Sequence, residues 1–215
     1  MIQAEGSNPV DVAEALGKYS TPTLAEVDPR VTALPSSVRP LYRPIHLAGQ
    51  VYTVSAFPGD NLAVHLGLAA APRDCVLVVA TSAHEQAGFW GEIMMEAALA
   101  RSIRGLVTDG AVRDTRALRE RAFPVFCSGI AIPGTMKKER GRLNQPISIF
   151  GVLIRPGDFI VGDDDGAVII PAEAAVRVLE QAQIRTDKET GFIEQLRRGA
   201  LSVDLLNLRE ASPDA

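Results

Sequence analysis

The sequence predicts an α/β fold with a central mostly parallel sheet, a β-rich second half and helices at the C-terminus. Three observations carry this. Residues 75–127 alternate apolar, β-branched runs with helical stretches, as strands joined by crossover helices do. From 147 to 170, short apolar runs recur between turn signals, which marks closely connected strands. Ala172 to about Arg198 keeps helical character, with a break expected near Thr190-Gly191. The 215 residues suffice for one domain, 1–215, in which 172–215 is a helical extension.

The elements follow in order. Pro9–Lys18 has apolar residues at helical spacing and Gly17 near its end. Thr21-Pro22 offers a second start, with Thr21 as N-cap and Pro22 at the first position of a short helix, Leu24–Val27. Asp28 to Pro44 holds four prolines and reads as extended loop. Ala48–Phe57 alternates as a strand, Pro58-Gly59-Asp60-Asn61 turns, and Leu62–Ala70 is apolar on most sides, a buried helix. Cys75–Ala80 is a continuous apolar run of the kind that both faces of a sheet cover.

A loop over Thr81–Gly91 leads to a helix over Glu92–Arg101, with Ile93, Met94, Ala97, Ala98 and Leu99 inward. Leu106–Thr108 is the next strand, and Asp109-Gly110 reads as a turn that ends it. A helix over about Arg113–Arg121, with Leu118 inward, and a strand over Phe123–Cys127 complete the alternation. Ile147–Ile149, Val152–Ile154, Asp158–Val161 and Ala167–Ile170 are short strands. Asp163-Asp164-Asp165-Gly166 connects the last two; it lacks the spaced carboxylates and distal glutamate of a calcium loop.

Charge and motifs narrow the function classes. A formal charge of -4 and a pI near 5.4 leave no electrostatic footprint for nucleic acid or an anionic membrane. Lys137, Lys138, Arg140 and Arg142 form a local basic patch, read as solvated surface. Cys75 and Cys127 sit inside apolar runs, so neither a disulfide framework nor a zinc motif is indicated. There is no signal-peptide pattern, and no apolar run approaches the roughly 18 residues of a membrane span, so a cytoplasmic protein is expected. Phosphate-binding loop, strand-linked Gly-x-Gly-x-x-Gly and nucleophile elbow are absent. Of the histidines His46, His65 and His84, only His84 is a candidate, because it precedes Glu92 in the same loop.

The chemistry concentrates at two strand-to-helix corners. Ligands of parallel sheets bind where the C-terminal strand ends collect. One corner closes at Gly91-Glu92-Ile93-Met94, the other at Arg113-Asp114. Residues 91–94 open a helix, so their amides lack intrahelical partners and suit a substrate carboxylate. Gly91 lets a ligand approach the backbone. Arg113 offers a rigid fork for a carbonyl or carboxylate oxygen, and Asp114 an oxygen donor for a hard divalent cation. An ion pair capping a helix accounts for the same spacing.

Glu92, twenty intervening residues and Arg113-Asp114 resemble the Asp-x20-Arg-Asp pattern of the 4-hydroxy-4-methyl-2-oxoglutarate / 4-carboxy-4-hydroxy-2-oxoadipate aldolases. These share a superfamily with the bacterial regulator of ribonuclease activity A. Further matching stretches include Ser20-Thr21-Pro22, Pro58-Gly59-Asp60-Asn61, Trp90-Gly91-Glu92, Gly105–Gly110 and Arg155-Pro156-Gly157-Asp158. The resemblance implies a swivelling β/β/α domain and a homotrimer or hexamer with the site between subunits. It also implies class II cleavage of a 4-hydroxy-2-oxoacid to pyruvate and a second oxoacid, using Mg2+ or Mn2+, with oxaloacetate decarboxylation on the side. It assigns Asp114 to the metal, Arg113 to the keto oxygen, and Gly91, Glu92, Ile93 and Met94 to substrate binding. Glu92 stands where the family has aspartate, and Glu189 is the expected acid/base group donated by the next subunit.

Three rivals remain. A non-catalytic regulator that binds a protein partner lacks the aspartate after the arginine, and Asp114 argues against that branch. A methyltransferase lacks support in any glycine-rich nucleotide loop. A Schiff-base aldolase would use Lys137 or Lys138.

Overall fold

The computed structural model describes residues 8–208. The chain opens with α1 (Pro9–Leu16) and α2 (Thr21–Val27), then the short strands β1 (Thr32–Ala33) and β2 (Arg39–Pro40). The alternating portion follows as β3 (Leu47–Ser55), α3 (Leu62–Ala70), β4 (Cys75–Ala80), β5 (Gly88–Trp90) and α4 (Glu92–Ala100). It continues as β6 (Gly105–Thr108), β7 (Ala111–Val112), α5 (Thr115–Glu120), β8 (Val125–Cys127) and β9 (Gly129–Ile130). The β-rich half holds β10 (Arg142–Leu143), β11 (Ile147–Ile149), β12 (Val152–Ile154), β13 (Phe159–Gly162) and β14 (Ala167–Ile170). A 3-10 turn, Ala172–Ala174, leads into α6 (Ala175–Arg197), and α7 (Ser202–Leu205) ends the described chain. The last residues of the expected extension, 209–215, lie outside the described residues.

The main sheet runs β1-β14-β13-β3-β4-β6-β8-β2. Its centre, β3-β4-β6-β8, is parallel, with Val51 opposite Val76 and Val78 opposite Val107. The flanks β13, β14, β1 and β2 are antiparallel. The continuous run of β4 is explained by what covers it. Leu77 and Val79 face a core with α3, α4 and Leu118 of α5, whereas Val76, Val78 and Ala80 face a second core with Phe126, Ile149 and Ile154. A third core joins α1, α2 and the start of α6 to β13 and β14 through Leu16, Leu24, Phe159, Val168 and Val178.

Several expectations shift. Ser20, not Thr21, caps α2, accepting from the Thr23 amide, while the Thr21 amide and hydroxyl donate to Asp163 in the β13–β14 turn. That turn is thus structural: Asp164 also accepts from the Ile45 amide. On α4 the buried face is Met94, Met95 and Ala98; Ile93 and Ala97 point outward. The expected break at Thr190-Gly191 is absent, and α6 runs through it. There the Thr190 hydroxyl donates to the Thr186 carbonyl, and one glycine in an exposed helix costs only about 1 kcal/mol.

The expected loop over Thr81–Gly91 contains β5, which forms a second, three-stranded parallel sheet with β7 and β9. Both cysteines are buried and free, and burial pushes the Cys75 thiol up to about 12 and that of Cys127 to about 11. Among the described residues no helix is long and apolar enough to cross a membrane.

Candidate active site

The small sheet brings the two corners together. Trp90 of β5 lies opposite Val112 of β7, so Gly91-Glu92 and Arg113-Asp114 leave adjacent strands side by side. The Arg113 amide donates to the Trp90 carbonyl at 2.8 Å. The Glu92 amide donates to Asp114 Oδ2 at 3.1 Å. Asp114 is therefore seated on the first amide of α4, at the positive end of that helix.

Two local features fix this seat. Asp114 takes a left-handed backbone conformation, φ 53°, which turns the chain sharply from β7 into α5. Helical geometry consequently begins at Thr115 and not at Arg113. Gly91 is needed for space: a Cβ there would overlap the Asp114 carboxylate and stand 3.1 Å from Arg113 Cγ. Its own backbone is extended, φ -159°, so any residue could adopt it and only the neighbours forbid one.

Arg113 likewise needs glycines beside it. A Cβ on Gly88 would stand 3.0 Å from its Cβ, and one on Gly134 3.2 Å from its Nη1. Its Nε lies 3.7 Å from Asp114 Oδ2, and both side chains remain two-fifths exposed, 42% and 43%.

Asp109 holds the corner from beneath. Its buried carboxylate accepts from the Thr81 amide at 2.6 Å, the Thr81 hydroxyl at 2.9 Å and the Ala83 amide at 2.9 Å. It thereby ties the end of β4 to the end of β6. Gly110 has no positive φ; a Cβ on it would meet Thr81 Oγ1 at 2.6 Å. The Asp-Gly pair is thus a clamp between two strand ends, not the tight turn its sequence suggests.

Glu92, Arg113 and Asp114 line an open cleft of about 640 Å³ together with Thr115, Arg116, Ala117, Glu120 and the stretch Ile130–Ile132. Gly91, Ile93 and Met94 border this group without lining the cleft. The Glu92 amide is already engaged by Asp114, so among the amides expected to receive a substrate carboxylate those of Ile93 and Met94 remain unpaired among the described residues. Met94 is buried, whereas Ile93 is 77% exposed.

Within one chain Glu189 is not brought to the cleft. It sits on α6, in an ion pair with Arg185, Oε1 to Nε 2.8 Å. His84 packs edge-on against Phe89, 5.8 Å between rings, and does not line the cleft. Sequence reasoning missed Arg116, Glu120 and Ile130–Ile132. The Arg113-x-x-Arg116 spacing was visible, but nothing in it signalled a shared cleft.

The donor set suits a hard cation of the magnesium type. Among the described residues no group of three or more metal-ligating side chains exists. Asp114 instead offers one carboxylate, with Oδ2 on the Glu92 amide and no described hydrogen bond to Oδ1, beside a cleft open to water. One carboxylate plus waters and substrate oxygens is a usual magnesium shell.

Residues 10–169 match the RraA-like family model, described as Aldolase/RraA. The chain belongs to the RraA-like family. A protein of Halalkalibacterium halodurans named "Putative 4-hydroxy-4-methyl-2-oxoglutarate aldolase" is 34% identical over 209 residues, 97% of this chain and 95% of that one. The 4-hydroxy-4-methyl-2-oxoglutarate aldolase of Thermus thermophilus is 28% identical over 151 residues, 70% of this chain and 92% of that one.

Among solved structures, an uncharacterized protein from Pseudomonas syringae pv. tomato superposes with a TM-score of 0.80 at 24% identity, covering 91% of this chain and 97% of that one. A Thermus structure described as the RNA-processing inhibitor RraA gives 0.66 at 28% identity, covering 71% of this chain and 92% of that one. The α/β architecture inferred from the sequence is thus the RraA-like fold. Both aldolase and RraA names occur among its relatives. Helix α6 lies beyond the stretch that the family model matches.

Proposed function

We propose that this RraA-like protein is a divalent-metal-dependent, class II aldolase that cleaves a 4-hydroxy-2-oxoacid to pyruvate and a second oxoacid. The observation that carries the reading is the seating of Asp114 on the Glu92 amide beside Arg113 in one cleft. The aldolase names of two relatives point the same way.

The chain's own residues divide the work. Arg113 donates to the 2-oxo oxygen and stabilises the negative charge that grows there. The Ile93 and Met94 amides attract the substrate carboxylate at the helix start. Glu92, through a water, accepts the proton of the C4 hydroxyl. The C3–C4 bond then breaks: C4 becomes a carbonyl, and the electron pair passes to C3 as the enolate of pyruvate. Protonation at C3 releases pyruvate. Loss of CO2 from oxaloacetate reaches the same enolate. Mg2+ or Mn2+ held by Asp114 would supply Lewis acidity to the 2-oxo group.

The test is a panel of 4-substituted 4-hydroxy-2-oxoacids, plus oxaloacetate, assayed for pyruvate with magnesium and with EDTA. Pyruvate release that EDTA abolishes is expected. If no panel member is cleaved and oxaloacetate is not decarboxylated, the aldolase reading falls. Borohydride trapping of pyruvate on a lysine would instead support Schiff-base chemistry.

The site is proposed to be completed by a second copy, in a homotrimer or a hexamer, with Glu189 of the neighbour as the further acid/base group. Two large apolar side chains of the cleft lining stand exposed, Ile130 at 66% and Ile132 at 89%, and Ile93 beside it is 77% exposed. Bare isoleucines in a group mark a surface that associates. Light scattering should give a mass three or six times that of the 23.0 kDa chain; a monomer would remove Glu189 from the site.

A further inference from the structure

Three parallel strands of the main sheet each run on into one strand of the small sheet. The stretch 81–87 joins β4 to β5, Asp109-Gly110 joins β6 to β7, and Ser128 alone joins β8 to β9. The three crossings meet on one residue. Asp109 Oδ1 accepts from the Thr81 amide and hydroxyl of the first crossing, and Oδ2 accepts from the Ala83 amide. The Asp109 carbonyl accepts from the Ser128 hydroxyl of the third crossing at 2.7 Å. Backbone bonds complete the junction: the Ser128 amide donates to the Gly110 carbonyl, and the Ala111 amide to that of His84.

The junction is dry and under strain. Thr81, Thr108 and Asp109 are all buried. Hydrogen bonds shielded from water are stronger electrostatically, and costly to leave unmade. Ser82 and Ala83 both hold left-handed backbone, φ 59° and 55°, a conformation that residues with a Cβ avoid. Such a turn persists where its surroundings hold it, and the Asp109 carboxylate on the Ala83 amide holds this one.

What the crossings carry is the cleft. Beyond β5 the chain enters Gly91-Glu92, and beyond β7 it enters Arg113-Asp114. Glu92, Arg113 and Asp114 therefore all leave the small sheet, and its seating on β4 and β6 decides where they stand. Asp109 does not line the cleft.

We propose that Asp109 is a positioning residue for the reaction. Its carboxylate sets the seating of the small sheet, and through it the mutual placement of Glu92, Arg113 and Asp114. It touches no substrate. The kinetic half of this assignment rests on the retro-aldol reading of the cleft, and the placement of the three side chains does not.

The experiment compares the wild type with Asp109→Asn, Thr81→Val and Thr81→Ser. Asparagine keeps the shape of Asp109 but turns one acceptor into a donor, which then faces a donor of the first crossing. Valine removes the Thr81 hydroxyl at similar shape, and serine puts it back. Assayed for pyruvate well below their melting temperatures, Asp109→Asn and Thr81→Val should lose about tenfold to a hundredfold in kcat, the range for a misplaced reacting geometry. KM should hold, and Thr81→Ser should keep the wild-type kcat. A lower melting temperature with kcat unchanged would overturn the proposal, since the junction would then serve the fold alone.

A readout without turnover separates this failure from that of the aldolase reading. Amide hydrogen exchange follows the Glu92 amide, seated on Asp114, and the Arg113 amide, bonded to the Trp90 carbonyl. In Asp109→Asn both should exchange about tenfold faster, the equivalent of one lost buried hydrogen bond. Amides of β13, beyond β3 in the main sheet, should keep their rates. Unchanged exchange at Glu92 and Arg113, or uniform acceleration throughout, would overturn the assignment. Wild-type protein that cleaves nothing, together with selective acceleration in the variant, refutes the reaction and leaves the seating to Asp109. If Asp109→Asn does not fold, Thr81→Val carries both measurements.

Discussion

Asp114→Asn should lower metal-dependent pyruvate release about a thousandfold or more, because metal-borne charge stabilisation is worth several kcal/mol and each ~1.4 kcal/mol is tenfold in rate. The substitution isolates charge from shape. Asparagine tolerates the left-handed backbone that Asp114 adopts at φ 53°. Its amide oxygen still accepts from the Glu92 amide, as Oδ2 does at 3.1 Å. What disappears is the negative charge, and with it the attraction for a hard cation. Alanine is a poorer test, since a Cβ-bearing residue with no polar side chain costs roughly 1–2 kcal/mol in that conformation. Initial rates at saturating magnesium, with the melting temperature measured alongside, decide the matter. Unchanged turnover would move the metal, or the reaction, away from Asp114. A large drop in melting temperature would mean that the corner itself collapsed.

How much of this could be read in the sequence depends on element length. Cys75–Ala80 and Leu62–Ala70 fall where the sequence places them, because six to nine residues carry an apolar run or a buried helical surface. The strands Ile147–Ile149 and Ala167–Ile170 were legible through the turns around them. The small sheet was not. Its strands are two or three residues long, Gly88–Trp90, Ala111–Val112 and Gly129–Ile130, too short for any period to show.

That sheet is nevertheless what makes Glu92 and Arg113-Asp114 neighbours. The spacing of twenty residues encodes one crossover: out of β5, along α4, back through β6 and into β7. The amides of residues 91–94 suit an anion on sequence grounds, and the fold gives that of Glu92 to Asp114. No sequence pattern distinguishes a ligand carboxylate from a side chain that arrives from the next strand. Arg116 escaped notice because its position in the cleft depends on the left-handed turn at Asp114, which offers no residue signature.

Arg113→Lys should lower kcat by about a hundredfold to a thousandfold, the range for losing one preorganised donor to a developing oxyanion. The physical case rests on the space that two glycines leave for the side chain. The Arg113 stem passes within 3.1 Å of where a Gly88 Cβ would stand, and Nη1 lies 3.2 Å from the corresponding position at Gly134. Two side-chain-free positions leave room for the planar guanidinium beside Asp114. Lysine keeps the charge but ends in a compact ammonium on a flexible stem, so it cannot present the same fork. The kinetic pattern tells binding from catalysis. If Arg113 holds substrate and transition state equally, KM rises and kcat stays; if it meets charge that appears only as C3–C4 breaks, kcat falls with kcat/KM. The second pattern is expected, because the 2-oxo oxygen gains its full charge only in the enolate. A pure KM effect would reassign Arg113 to the substrate carboxylate. The oxyanion role would then pass to the Ile93 and Met94 amides, the donors that α4 leaves unpaired beside it.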